Sequence, residues 1–119
     1  MKSEHVVAAL AALAQPSRLA VFRLLVARGP SGLAAGEIAE RLSIPGPTLS
    51  FHLKELAQAG LVTPRKQSRF VYYAASFDRM NALLAYLTEN CCGLDVTCGP
   101  ACSPGPPLRR RKPTAVPAQ

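Results

Sequence analysis

GEIAERLSIPGPTLSFHLKELAQAG, residues 36–60, is the stretch on which the fold turns. It holds two helical patterns with a very short break between them. In the first, at about residues 35–42, Ile38, Ala39 and Leu42 share an apolar side. Pro45, Gly46 and Pro47 then interrupt it. Proline lacks the amide hydrogen that a helix interior needs but suits a first turn, so Pro47 can start the next helix. In that second pattern Leu49, Leu53 and Leu56 stand at i, i+4 and i+7 and point inward. This leaves Thr48, Ser50, Phe51, His52 and Lys54 for the outer face, and Gly60 closes the C-terminus.

Working outward, residues 4–14 (EHVVAALAALA) are apolar nearly all round. That suits a helix buried on several sides, including against a second copy. In QPSRLAVFRLLVARGP, Ser17 reads as a cap or first-turn residue. Leu19, Phe22, Leu25 and Val26 recur at helical spacing, and Gly29 and Pro30 end the pattern. Downstream, Leu61 and Val62 start a short strand, and Phe70 to Tyr73 make a second. The basic, polar tip Arg65-Lys66-Gln67-Ser68-Arg69 lies between them, so the pair reads as a hairpin. From Phe77 to about Asn90 a helix returns, with Met80, Leu83, Leu84 and Leu87 as its stripe.

Helix, helix, short helix, brief turn, helix, hairpin, helix is the order of a winged helix-turn-helix. The expected fold class is therefore mainly α with a small β-hairpin wing. Residues 1–92 form the DNA-binding and dimerisation domain, 93–102 a cysteine-containing segment, and 103–119 a basic tail. Six of the eleven prolines lie beyond residue 99, and such composition predicts disorder over 103–119.

At 119 residues and 49% hydrophobic content, the chain has room for one domain with a modest core. No apolar run is long enough to span a membrane. Glu4 and His5 stand where a signal peptide would carry its cationic region, so the N-terminus reads as structure. The net charge is +7, and Arg109, Arg110, Arg111 and Lys112 supply four of the fourteen basic residues. The remaining body is mildly basic, in keeping with a polyanionic partner. His5 and His52 are the only histidines; there is no Ser/His/Asp grouping and no glycine-rich phosphate loop, so the expectation is a protein that is not an enzyme.

The outer face of the Thr48 helix has the chemistry that a major groove asks for. Thr48 and Ser50 can bond phosphates or base edges, Phe51 can meet a thymine methyl, and His52 can donate or accept at a base. Lys54 and Arg65 can neutralise phosphate, with Lys66 and Arg69 adding to the hairpin tip.

All four cysteines, Cys91, Cys92, Cys98 and Cys102, fall in one twelve-residue window. Thiolates select soft, thiophilic ions. Three of them suit the sulfur pyramid of trivalent arsenic or antimony; four also permit tetrahedral zinc or cadmium. A disulfide staple, a redox switch and an incidental cluster are the other readings. Neighbouring helical residues diverge by about 100°, so Cys91 and Cys92 can converge only where the helix has frayed, as Gly93 allows.

LAQPSRLAVFRLL, GEIAERLSIPGPTLSFHLKELAQAGLV and RKQSRFVYYAA, within roughly residues 4–90, resemble the ArsR/SmtB family of bacterial metal-responsive repressors. The resemblance implies a cytoplasmic homodimer joined through its first and last helices. It also implies operator DNA as partner, bound without effector and released with it. Two usual effector sites of the family have no counterpart here. Leu33-Ala34-Ala35-Gly36-Glu37 carries no Cys-x-Cys, and the last helix has Asp78 and Glu89 but no histidine. A subgroup of arsenic-responsive members carries an adjacent cysteine pair with a third cysteine a few residues on. That likeness implies Cys91, Cys92 and Cys98 as ligands of As(III) or Sb(III), with Cys102 a further thiol lacking a counterpart. The alternative is a winged-helix regulator with a thiol redox switch or a Cd/Zn-responsive site.

Overall fold

The computed structural model describes residues 1–93. Five helices and three strands follow in the order α1 (Ser3–Leu13), α2 (Pro16–Arg28), β1 (Leu33–Ala34), α3 (Ala35–Leu42), α4 (Gly46–Gln58), β2 (Val62–Gln67), β3 (Phe70–Ala75) and α5 (Phe77–Thr88). Met1–Leu87 make one compact unit, and Thr88 begins a second.

Local chemistry explains most of the boundaries. The chain bends by 102° between α1 and α2. Gln15 caps α2, its side chain accepting from the Arg18 N–H at 2.8 Å, with Pro16 in the first turn. Ser17 is therefore a first-turn residue, and the capping role falls to Gln15. Gly29, at φ +96, ends α2. α3 stops at Ser43, whose left-handed φ of 54 makes the corner of the helix-turn-helix. Pro45 stands at the N-cap of α4, and Gly46 and Pro47 form its first turn.

Leu49, Leu53 and Leu56 are almost wholly buried, as their spacing requires. Each such burial is worth about 1.5–3 kcal/mol. They meet Val21, Phe22 and Leu25 of α2, Ile38 of α3, and Leu61 and Val62 in one continuous core. α4 thus packs against α1, α2, α3 and β2, which leaves one long face outward.

The sheet order is β1-β3-β2, all antiparallel. Leu33 pairs with Tyr73 and Ala34 with Tyr72, a third strand that two residues are too few to announce in sequence. The wing differs from its expected form. Arg65, Lys66 and Gln67 belong to β2 rather than to a loop, and the hairpin closes between Gln67 and Phe70. Only Ser68 and Arg69 form the turn, with Ser68 at φ 61. The last helix stops at Thr88, two residues short of the expected Asn90. Half of its expected stripe is uncovered: Leu83 is buried, whereas Leu84 and Leu87 are more than half exposed. No single helix among the described residues is long and apolar enough to cross a membrane.

Candidate nucleic-acid interface

α4 presents Thr48, Ser50, Phe51 and Lys54 to solvent, all exposed. Phe51 is 56% exposed, unusual for a phenylalanine next to a well-filled core. The wing contributes exposed Arg65, Lys66 and Arg69. The single ion pair among the described residues is Arg41–Glu37 on α3, so no described carboxylate neutralises these wing cations. Unpaired cations on a hairpin edge are suited to phosphate.

Two of the expected DNA-contacting residues are placed differently from the sequence reading. His52 is 6% exposed and lies inside. Its Nδ1 is 3.5 Å from Nη1 of Arg18, and its ring centroid is 5.9 Å from that of Phe51. Helical arithmetic held the signal: three residues after Leu49 is about 60° from it, beside the leucine stripe rather than opposite. Arg65 is exposed but engaged. Its Nη2 donates to the Ser31 carbonyl at 3.1 Å, and its guanidinium lies 5.6 Å from the centre of the Tyr72 ring. It ties the wing to the loop before β1.

The sequence reading also missed Phe70, 55% exposed beside the hairpin turn. Register places it with Gln67, Arg65 and Tyr72 on the outer face of the sheet, while Val62, Tyr73 and Ala75 face the core. Its period-2 alternation was visible, but the pairing that assigned the faces was not.

In the second unit, the chain after α5 makes two tight turns. The Cys91 N–H donates to the Thr88 carbonyl at 2.9 Å and the Gly93 N–H to the Asn90 carbonyl at 2.8 Å. Asn90 and Cys92 adopt left-handed φ values of 60 and 62. The two cysteines are therefore out of the helix, and their sulfurs stand 3.7 Å apart. Thiolates about 2.3 Å from one tetrahedral ion lie about 3.8 Å from each other, so the spacing would suit a shared soft ion with both sulfurs reduced. Cys92 is disulfide-bonded in this structure. Cys98 and Cys102 lie outside the described residues, as do the tail and most of the 93–102 segment. Among the described residues, no three of His, Cys, Asp and Glu gather into a metal-binding group.

Comparison with known proteins agrees with the fold. A helix-turn-helix domain model matches residues 13–65. The HTH-type transcriptional regulator YceK of Bacillus subtilis, itself uncharacterised, is 40% identical over 78 residues, which cover 66% of this chain and 77% of that one. An ArsR-like transcriptional regulator from Rhodococcus sp. RHA1 superposes with a TM-score of 0.68 at 25% identity, covering 77% of this chain and 84% of its own. The chain belongs to the ArsR/SmtB family of winged helix-turn-helix transcriptional regulators. It is a DNA-binding regulator and not an enzyme. The homodimeric winged helix-turn-helix DNA-binding domain of Mb0332 from Mycobacterium bovis, described as a possible ArsR-family regulator, has a TM-score of 0.59 at 30% identity, covering 73% of this chain and 81% of that one.

Proposed function

We propose that the protein is a cytoplasmic, homodimeric repressor that occupies operator DNA and leaves it when As(III) or Sb(III) binds the thiolates of Cys91, Cys92 and Cys98. The observation that carries the reading is the pair of helix-free sulfurs 3.7 Å apart. Once Cys92 is reduced, adjacent cysteines held that close offer two bonds of a three-sulfur pyramid, and the chain supplies a third cysteine six residues on.

Dimerisation is supported by solvent-exposed apolar side chains on the first and last helices. Val7 and Leu10 on α1, and Leu84 and Leu87 on α5, are all at least 41% exposed. Paired residues of this kind on two helices are costly in water and suit a second copy. On DNA, two recognition helices would have to sit about 34 Å apart to enter successive major grooves. Because Cys91 lies three residues past the end of α5, a metalloid drawing the thiols together acts on the chain next to the proposed dimer helix. A thousandfold loss of DNA occupancy requires a coupling of about 4 kcal/mol between the two events.

A second reading has its own support. The Cys92 disulfide favours a redox switch, in which oxidation rather than metalloid binding alters the same segment. One experiment separates the two. Reduced protein on labelled operator, at fixed salt, is titrated in parallel with As(III), Sb(III), Cd(II), Zn(II) and a mild oxidant. Release by As(III) or Sb(III), lost in Cys98→Ser, supports the metalloid reading. Release by oxidant with no response to As(III) refutes it and leaves the redox switch.

A further inference from the structure

Arg18 joins three parts of the fold. Its N–H donates to Gln15 Oε1 at 2.8 Å, its Nε donates to the Ala12 carbonyl at 2.7 Å, and its Nη1 lies 3.5 Å from His52 Nδ1. These partners belong to the corner before α2, the last turn of α1 and the middle of α4. The Ala12 carbonyl is among the last four of its helix, which have no partner within it. A guanidinium only donates, so in this contact His52 Nδ1 takes the acceptor role. His52 in turn lies against Phe51, an exposed aromatic on the outer face of α4. A line of contacts therefore runs from the end of α1 to the surface expected to meet DNA.

The three leucines of α4 already supply its burial, and an apolar residue would fill the His52 position without a polar atom to satisfy. What the Arg18–His52 contact adds is direction. Side-chain tips lie about 5–6 Å from a helix axis, so a rotation of α4 by about 10° moves them by about 1 Å. That is more than a binding constellation tolerates. We infer that Arg18 is a positioning residue for DNA recognition. Through His52 it sets the rotation of α4, and so where Phe51 and its outer-face neighbours meet the base edges.

The test uses the full chain and a duplex that the wild-type protein selects from a random pool, with a scrambled duplex as control, by fluorescence anisotropy at fixed salt. Arg18→Lys and His52→Leu are expected to weaken binding to the selected duplex tenfold or more and to the scrambled duplex less than twofold. The double variant is no worse than the weaker single one. His52→Asn, whose amide oxygen accepts where Nδ1 does, restores affinity to within threefold. Unchanged affinity, or equal and additive losses on both duplexes, overturns the inference, since a merely structural role lowers both together. A measurement on the wild type stands apart from any folding defect in the variants. In ¹⁵N-histidine spectra, His52 is expected as the Nε2–H form, its Nδ1 resonance shifting with the selected duplex and not with the scrambled one. A protonated Nδ1, or one indifferent to the selected duplex, also overturns it.

Discussion

Gly32→Ala should damage the protein far more than its size suggests. Gly32 sits at φ +74, and a Cβ placed there would stand 2.5 Å from the Tyr73 carbonyl oxygen and 3.0 Å from its carbon. The obstacle is backbone, so no side chain can swing aside. Tyr73 is paired with Leu33, the residue following the glycine. The left-handed backbone costs a non-glycine residue roughly 1–2 kcal/mol. Moving β1 away from β3 gives up hydrogen bonds worth about 0.5–1.5 kcal/mol each. Together these come to about 3 kcal/mol, which in a domain of this size lowers the Tm by roughly 12–24 °C. Gly36→Ala is the control. Nothing lies within 4 Å of its added Cβ, and it is in the first turn of α3. Alanine is the better helix former by up to about 1 kcal/mol, so this variant should melt at or above the wild-type temperature. Thermal unfolding followed by circular dichroism reads both. A Gly32→Ala protein melting within about 3 °C of wild type, or a Gly36→Ala protein falling as far as Gly32→Ala, would refute the steric reasoning.

Removing the wing cations together, Lys66→Ala with Arg69→Ala, should weaken binding to every duplex alike. It should also flatten the plot of log affinity against log salt by about 0.9 per lost phosphate contact, measured by anisotropy between low and moderate salt; an unchanged slope would mean the wing does not touch phosphate. Phe51→Ala should leave the Tm within about 1 °C, because the ring is largely exposed. It should relax base preference at one operator position by up to about tenfold, read by binding a panel of single-base variants; a uniform loss across the panel would assign Phe51 a packing role instead. Ser68→Gly should stabilise the hairpin by a few tenths to about 1 kcal/mol, since Ser68 holds φ 61 without being glycine. A fall in the midpoint of denaturant unfolding would show that the hydroxyl contributes more than the strain costs.

Sequence periodicity carried the reading where the determining forces are local. The Leu49, Leu53 and Leu56 spacing, the Pro-Gly-Pro break and the glycine at 60 depend on helical geometry and backbone sterics within a few residues. They placed α3, α4 and the leucine core correctly. The end of α5 was read less well: the pattern ran to about Asn90, and the helix ends at Thr88. What periodicity could not supply was the identity of the neighbour across a contact. His52 sits at the margin of the leucine stripe, and the sequence did not show that Arg18, thirty-four residues earlier, is the neighbour it meets there.

By itself, then, the sequence determined the order of elements, the inward leucines of α4 and the cationic hairpin, because each follows from spacing and charge along the chain. The tertiary structure alone decided four further matters. It paired Leu33–Ala34 with β3, turned Arg65 onto Ser31 and Tyr72, drew His52 inside, and left Leu84 and Leu87 uncovered. Each of these depends on which surfaces meet across long stretches of chain, and a face's partner is fixed by packing of the whole domain rather than by the residues that form the face.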